Sequence, residues 1–154
     1  MKGDPGHPAV ILYADFECPR CGLAWERLRG AQVRVGIRHF PVKSAHKRAM
    51  PAACAVEAAG RQDRFWEMVD RLLIDQARIE DPDLWRHAQE LQLDVDRFEA
   101  DRRSAETAAK VDADFRAAIR AGVATTPSFL VAGELFAGVP SASDVELWAS
   151  TRSL

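Results

Sequence analysis

The stretch "Phe16-Glu17-Cys18-Pro19-Arg20-Cys21-Gly22" lies where one apolar run ends and a helical pattern begins, and it holds two of the chain's three cysteines. The run before it, residues 9–16, is short and almost continuously apolar, as is typical of a buried strand. Residues 19–29 place apolar side chains at helical spacing, with a proline suited to the first turn. The sequence therefore predicts two thiols at a junction between a strand and a helix.

The pattern on either side of this junction predicts an α/β fold. Residues 33–42 alternate apolar and charged side chains, and a strand, helix, strand order favours parallel pairing with a right-handed crossover. Strands return near 128–132 and 135–137 as a hairpin, followed by a helix capped by Ser141 or Ser143. Between these halves, residues 43–122 form an all-helical insertion, with helices expected at 49–59, 62–76, 82–91, 95–102 and 105–121.

Composition narrows the possible functions. The chain has 154 residues, 47% of them hydrophobic and 29% charged, which predicts one globular domain over residues 1–154. A net charge of -2 argues against nucleic acid as a partner. We see neither a signal peptide nor a run of apolar residues long enough to span a membrane. The chain as written is expected to be cytoplasmic, or periplasmic or extracellular if a leader has been removed.

The spacing of the two thiols favours redox chemistry. Cys18 is placed at a helix N-terminus, where free backbone N–H groups and the helix dipole stabilise a thiolate. Cys21 follows one turn later on the same face and can close a disulfide with Cys18. Pro19 fixes the turn between them, and the positive charge of Arg20 further favours the thiolate. The predicted cofactor requirement is none beyond the redox-active Cys18–Cys21 disulfide.

Three roles without redox chemistry remain open for the cysteine pair. Both thiols could be small core residues. They could also be half of a zinc site completed by Cys54, His39 or His46, but no second Cys-x-x-Cys is present and we predict no metal. A purely structural bridge is disfavoured because so short a loop constrains the unfolded chain very little.

Two motifs resemble a known family. "Asp15-Phe16-Glu17-Cys18-Pro19-Arg20-Cys21" resembles the Asp-Phe-x-Cys-Pro-x-Cys signature of DsbA-like thioredoxin-fold oxidoreductases, and "Gly122-Val123-Ala124-Thr125-Thr126-Pro127-Ser128-Phe129-Leu130-Val131" is similar to their later Gly-Val-x-x-Thr-Pro-x-Phe segment. "Arg38-His39-Phe40-Pro41" and "Phe65-Trp66-Glu67-Met68" are similar to stretches in soluble members and in domains fused to sodium/proton antiporters. The resemblance covers residues 9–148 and implies a thioredoxin fold with a helical insertion.

The resemblance also implies an activity and a substrate site. It implies a thiol-disulfide oxidoreductase that reduces, forms or isomerises disulfides in proteins or peptides, with a recycling redox partner or small thiol. Thr126-Pro127 would be a cis peptide against Cys18, with Thr126 presenting its backbone to an extended substrate. Leu12 is a departure, since some members carry a buried carboxylate there to assist proton transfer. The alternatives are a glutathione-transferase-like or isomerase-like enzyme of the same fold, and a peptide-binding module.

Several further residues have expected roles. We expect Asp15 and Glu17 to cap the helix or to be solvated, and His39 to be a hydrogen-bonded strand residue rather than a redox-site group. Trp25 is expected to shape the redox site. We expect the core to contain Cys54, Phe65, Trp66, Val69, Leu72, Leu73, Trp85, Phe98, Phe115 and Ile119. A solvated helix entry is expected from Lys43, His46, Lys47 and Arg48.

Overall fold

The structure, a computed structural model, describes residues 1–151 and contains one four-stranded sheet in the order β2-β1-β3-β4. β1 (Ala9–Ala14) pairs in parallel with β2 (Arg34–His39) and antiparallel with β3 (Ser128–Val131). β3 then pairs antiparallel with β4 (Glu134–Ala137) through the predicted hairpin at Gly133. The first strand is therefore central, and its carboxyl end delivers the chain to Cys18.

The remaining elements are helices, and they follow one another in the predicted order. α1 (Pro19–Leu28) connects β1 to β2, and α7 (Ala142–Ser150) follows the hairpin. Between β2 and β3 lie five helices: α2 (Ala49–Gly60), α3 (Phe65–Ile74), α4 (Asp81–Glu90), α5 (Val95–Arg102) and α6 (Ala105–Arg120). The predicted fold class, two α/β halves flanking a helical insertion, is confirmed.

The helix α3 begins later than the sequence pattern predicts. Asp63 adopts a left-handed conformation with φ 60°, which interrupts the helical geometry, and Arg64 becomes the N-cap. The predicted helix from residue 62 is therefore three residues too long at its start, because a turn separates α2 from α3.

The core lies on both faces of the sheet. The main cluster joins β1 to α1, α2 and α3 and contains the predicted Phe98, Val69, Leu72, Leu73 and Cys54. A smaller cluster on the other face contains Tyr13, Phe40, Ala118 and Val123.

The prediction of a core position was wrong for two side chains, which are exposed. Trp85 donates from its indole N–H to Glu99 at 2.7 Å on the surface, and Ile119 lines an open groove one turn beyond Phe115.

The helices are short or carry many charged side chains. Across residues 1–151, none of them combines the length and apolar character needed to cross a membrane.

Candidate redox site

The junction of β1 and α1 places Cys18 at the N-cap of the first helix. Its extended backbone, with φ -73° and ψ 117°, leads into Pro19 at the first helical position. The backbone N–H of Cys18 donates to the carbonyl oxygen of Asp15 at 3.1 Å and to its Oδ1 at 3.2 Å. Because Pro19 needs no N–H partner at this position, the turn forms without losing a hydrogen bond. The Cys18 side chain is thereby held beside the free N–H groups of α1.

The two sulfurs of the pair differ in accessibility. They are not bonded to each other, so the pair is in its dithiol form. Cys18 keeps 7% of its surface exposed, whereas Cys21 keeps 0%. The Cys18 Sγ lies 3.7 Å from the carbonyl oxygen of Thr126, and the Cys21 Sγ accepts the Asp15 N–H at 3.5 Å. An incoming molecule can therefore reach Cys18 and not Cys21.

The two thiols also differ in acidity, and in opposite directions. The pKa of Cys18 is lowered to about 5, mainly by a hydrogen bond from Cys21. Burial opposes this shift. Hydrogen bonds involving the Thr126 side chain and the backbone of Cys21 and Arg20 add to it. The hydrogen bond between the two thiols, together with burial, raises the pKa of Cys21 far above its ordinary value. The pair therefore carries one stabilised thiolate, on Cys18, and one thiol that stays protonated.

Arg20 acts on this site through its backbone. Its N–H contributes to the lowered pKa of Cys18, while its side chain is exposed and its guanidinium reaches toward Gly138. The sequence had led us to expect this contribution from the side-chain charge. The structure shows a contribution from the N–H in the first turn of α1, and the guanidinium lies near Gly138, whose N–H bonds the Pro127 carbonyl; the effect of the side-chain charge stays a prediction.

The loop before β3 lies against Cys18. The Thr126–Pro127 peptide bond is cis, and the Pro127 carbonyl accepts the Gly138 N–H at 2.8 Å. The Ser128 hydroxyl donates to the Thr125 carbonyl at 2.6 Å and closes the loop from the other side. Within residues 1–151 the backbone of Thr126 makes no hydrogen bond to another backbone group. Thr126 is thus placed with its carbonyl oxygen against the Cys18 Sγ and with a backbone N–H that has no backbone partner in this part of the chain.

Asp15 is buried and organises the junction. Its Oδ1 accepts the N–H groups of Glu17 at 2.8 Å and Cys18 at 3.2 Å, and its Oδ2 accepts the Val42 N–H at 2.9 Å and bonds His46 Nδ1 at 2.9 Å. The expectation that Asp15 caps the helix or is solvated was wrong: the side chain is buried, and the N–H groups that it accepts belong to the turn before α1, which has no side-chain cap. Glu17 is anchored as well, since its Oε2 accepts the Arg48 N–H at 2.7 Å.

Three residues near the pair were not recognised as site residues from the sequence. His46 and Arg48 were expected to be solvated, but His46 bonds Asp15 and the Arg48 guanidinium bonds the Ile79 carbonyl and Asp81. That expectation was wrong because the segment after β2 folds back over the start of α1. Gln76, just past α3, donates from Nε2 to the carbonyls of Phe16 at 3.1 Å and Cys18 at 2.7 Å.

The expectations for three other side chains had mixed outcomes. His39 is the hydrogen-bonded strand residue that we expected, with Nε2 2.7 Å from Glu57 Oε1. Cys54 is buried in α2, and burial raises its pKa to about 11, which keeps it a thiol. Trp25 does not shape the redox site: it lies in the main core cluster, donates to Asp70 at 2.7 Å and stacks on Trp66.

The side chains around the pair are not arranged as a metal site. Of the side chains in residues 1–151, no group of three or more His, Cys, Asp or Glu is arranged to hold a metal ion. Cys54, a possible zinc ligand from the sequence, is buried within α2, and among the described residues it forms no such group with Cys18 and Cys21.

Fold and site together define a class of protein: a thioredoxin-like sheet with a cysteine pair at its first helix and a cis-proline loop facing the accessible sulfur. The family model described as "DSBA-like thioredoxin domain" matches residues 9–150. The chain belongs to this family.

The curated relatives that the chain matches are named as sodium/proton antiporters. The chain is 41% identical over 156 residues to "Na(+)/H(+) antiporter NhaA 3" of Salinispora tropica, covering 93% of this chain and 24% of that protein. It is 37% identical over 135 residues to an antiporter NhaA of Herminiimonas arsenicoxydans, covering 84% and 21%. The chain thus spans about a quarter of the length of the curated relatives it matches.

Two solved structures share the fold. A thioredoxin-like oxidoreductase from Silicibacter pomeroyi DSS-3 superposes with a TM-score of 0.81 at 24% identity, covering 94% of this chain and 91% of that one. The thiol-disulfide exchange protein alpha-DsbA2 from Wolbachia pipientis has a TM-score of 0.83 at 14% identity, covering 95% and 82%.

Proposed function

We propose that this chain is a thiol-disulfide oxidoreductase acting on protein or peptide substrates, with Cys18 as the nucleophile and Cys21 as the resolving thiol. The observation that carries the proposal is the inequality of the pair. Cys18 is the accessible sulfur with a pKa of about 5, and Cys21 is sealed with a raised pKa. A thiolate is the reactive species, so at neutral pH the attack belongs to Cys18.

The reaction in the reducing direction balances with the two cysteines alone. The Cys18 thiolate attacks one sulfur of a substrate disulfide; that bond breaks, a mixed disulfide forms, and the leaving sulfur takes a proton. Cys21 then loses its proton and attacks the Cys18 sulfur, which releases the second substrate thiol. Two electrons pass from the pair to the substrate, and the reverse sequence oxidises a substrate dithiol.

The environment of Cys21 explains how this thiol becomes reactive at the right step. Its pKa is raised first by the hydrogen bond that it shares with the Cys18 thiolate, and then by burial. In the mixed disulfide the Cys18 thiolate no longer exists, so the first of these causes disappears. The Cys21 proton then leaves to water or to another side chain, because residue 12, where some relatives have a carboxylate, is leucine.

Thr126 and Pro127 are the proposed substrate-binding residues. An extended peptide can pair with backbone groups that no other strand occupies. The carbonyl oxygen of Thr126 lies 3.7 Å from the Cys18 Sγ, and its N–H has no backbone partner among residues 1–151. Pro127 has no N–H, and its carbonyl already accepts the Gly138 N–H. The substrate backbone is therefore expected to pair with Thr126. This arrangement sets a substrate sulfur beside Cys18 without requiring a particular side chain in the substrate.

The acidity of Cys18 also favours a direction. A stabilised thiolate stabilises the reduced form of the pair, and this makes the disulfide form a stronger oxidant. Reference enzymes run from about -270 mV, where the reactive thiol has a pKa near 7, to about -120 mV, where it is near 3.5. We propose a potential between these values. The corresponding partners are substrate dithiols and a redox partner or small thiol that recycles the pair.

The first experiment tests the nucleophile. The wild-type protein is expected to catalyse reduction of insulin by dithiothreitol, Cys18→Ser to abolish this turnover, and Cys21→Ser to accumulate mixed disulfides. Cys54→Ser is the matched control, because Cys54 is buried in α2 and the causes that shift its pKa are burial and charges such as Asp112 and Glu57, not the pair; it should keep wild-type turnover. Full activity in Cys18→Ser would overturn the assignment of the nucleophile, and a wild-type protein without turnover would favour a peptide-binding module instead.

The second experiment tests the direction. Equilibration of the pair with glutathione buffers, read as the fraction of free thiols after acid quenching, gives the reduction potential. A value more negative than about -270 mV would contradict the proposed oxidising character while leaving the exchange chemistry intact. If the protein reduced insulin with glutathione as the reductant but not with dithiothreitol, the glutathione-dependent alternative would be favoured.

A further inference from the structure

The carboxylate of Asp15 joins the redox pair to a histidine 31 residues further along the chain. Its Oδ1 holds the N–H of Cys18 at 3.2 Å, and its Oδ2 bonds Nδ1 of His46 at 2.9 Å. The two ends of one carboxylate therefore face the nucleophile on one side and an imidazole on the other. None of the steps of disulfide exchange described above uses this histidine.

The geometry of the pair favours a charged imidazole. The Asp15 side chain is 0% exposed and the His46 side chain 25% exposed, so the carboxylate cannot rely on water for its stabilisation. Oδ2 also accepts the Val42 N–H at 2.9 Å, which fixes the segment that carries His46. The imidazole is thus held at the rim of the site with one side open to solvent, where it can exchange protons.

The titration of His46 responds to the redox pair. The hydrogen bond to Asp15 is the largest cause that raises the pKa of His46; burial opposes it, and the negative charges of Asp15, Cys18 and Glu17 add to it. Electrostatic coupling between two sites is reciprocal. A Cys18 thiolate that favours the imidazolium is therefore stabilised by the imidazolium in turn, in addition to the hydrogen bonds from its own turn.

The other charged side chains around His46 are held by partners of their own, although Glu17 keeps its negative charge beside the imidazole. Glu17 accepts the Arg48 N–H, the Arg48 guanidinium bonds Asp81 at the start of α4, and Lys43 bonds Asp112 of α6. Asp114 of α6 faces away, toward His39 and Lys110. Cys21 stays a neutral thiol in the dithiol form. His46 is therefore the cation seated directly on the carboxylate that accepts the Cys18 N–H, and Lys47, its exposed neighbour, provides a matched comparison.

We propose that His46, seated on the buried Asp15 carboxylate, is a positioning residue whose positive charge stabilises the Cys18 thiolate and so lowers the pH at which this thiolate forms. This inference rests on the proposed role of Cys18 as nucleophile and adds the group that tunes it. Below the pKa of His46 the imidazolium supports the thiolate. Above that pKa the support is lost, and the intrinsic acidity of Cys18 falls.

The first test measures the Cys18 thiolate without a substrate. The reduced protein is alkylated with iodoacetamide from pH 4 to 8, and the Cys18 peptide is quantified by mass spectrometry. His46→Asn keeps an N–H donor toward Asp15 but removes the charge, so the thiolate transition should move to higher pH by about 0.5 to 1 unit, which is about a twofold to fivefold loss of thiolate at pH 5. Lys47→Gln removes the adjacent charge and should leave the curve unchanged.

The second test uses the reciprocal electrostatic coupling between Cys18 and His46, and it can be carried out even if His46→Asn does not fold. The pKa of His46 is read from its imidazole proton signals by NMR in the reduced wild type and in Cys18→Ala. Removing the thiolate should lower the pKa of His46 by about the same 0.5 to 1 unit. Coincident alkylation curves, or a His46 pKa unchanged by Cys18→Ala, would overturn the proposal.

These outcomes are separate from those that test the proposed function. Both readouts follow thiolate and imidazole titration and require no turnover. A wild-type chain that failed to exchange disulfides would therefore remove the proposed function while leaving the coupling of His46 and Cys18 measurable.

Discussion

The molecule contains two histidine-carboxylate pairs beside the carboxyl end of β2, and they are built in opposite ways. In the first, Asp15 is 0% exposed and His46 25%; in the second, His39 is 1% exposed and Glu57 21%. The buried member is the carboxylate in one pair and the imidazole in the other. The imidazole of the Asp15–His46 pair is therefore open to solvent at the redox site, whereas the imidazole of the His39–Glu57 pair is enclosed.

The difference shows in what each pair holds. Asp15 accepts three backbone N–H groups besides His46, so this pair fixes the turn before α1 and the segment after β2. His39 packs against the ring of Phe16 at a centroid distance of 6.0 Å and reaches Glu57 on α2, which Lys110 of α6 also approaches. One pair organises the loop that carries Cys18, and the other fastens the helical insertion to the sheet.

The largest effect is expected from Asp15→Ala, which breaks the first pair at its buried end. Three backbone N–H groups and His46 lose their acceptor in a water-poor site, and this should lower the free energy of unfolding by about 3 kcal/mol or more. Urea unfolding followed by circular dichroism measures the change. Asp112→Ala, which removes a surface partner of Lys43, is the control and should stay within about 0.5 kcal/mol. An Asp15→Ala loss no larger than that of the control would contradict the structural role given to Asp15.

The next effect is expected from His39→Ala, which breaks the second pair at its buried end. Loss of packing against Phe16 and of the Glu57 hydrogen bond should cost about 2 to 3 kcal/mol in the same unfolding experiment. His46→Ala, at the exposed end of the first pair, should cost less than about 1 kcal/mol. Equal losses for the two histidines would show that the contrast in burial has no energetic consequence.

A smaller effect with a defined pH range is expected from Glu57→Gln. Burial disfavours the charge of Glu57, but the hydrogen bond and charge of His39, with Lys110 and Arg61, hold its pKa below the ordinary value. A depressed pKa contributes stability above the ordinary value near 4.5, and this stability is lost as pH falls through the lower folded pKa. Thermal unfolding from pH 3 to 7 should show a shallower acid limb in Glu57→Gln than in the wild type.

The smallest effect on stability is expected from His46→Asn. The stabilisation by the His46 charge is lost as pH rises, whereas that by the Glu57 charge is lost as pH falls. The pKa of His46 is raised, so the contribution of its charge is complete below about 6.5 and is lost as pH rises through the folded pKa. Because the imidazole is partly exposed, the change should be a few tenths of a kcal/mol. In thermal unfolding from pH 5 to 9, the difference between the wild type and His46→Asn should narrow toward alkaline pH. A difference that stays constant would mean that His46 does not titrate in this range.

The fold and the redox pair could be predicted because local patterns encode them. The apolar run before Cys18, the proline after it and the helical spacing beyond it place the thiols at a strand-to-helix junction without any long-range information. The hairpin at Gly133 and the Ser141 cap are local signals of the same kind. Each of these features is determined within about one turn of chain.

The surroundings of the pair could not be predicted because they depend on distant contacts. His46 lies 31 residues from Asp15, and Gln76 lies 58 residues from Cys18, and no periodicity in the sequence connects them. Sequence proximity was also misleading: Trp25, four residues after Cys21, is turned toward α3 and Asp70 instead of the site. From the sequence, Asp15 could be interpreted only as a capping or solvated carboxylate, because its partners Val42 and His46 come from the segment after β2.

The amide of Gln76, which spans the Phe16 and Cys18 carbonyls, has a consequence for protein engineering. The segment after α3 acts as a brace on the peptide that presents the nucleophile, and Gly22 allows it to come close, since a Cβ there would lie 2.6 Å from the Gln76 Oε1. A minimal chimera that keeps both α/β halves but replaces the helices by a short linker would lose this brace. Transplanting the Cys-Pro-Arg-Cys loop into another scaffold therefore calls for grafting Gln76 and Gly22 along with it.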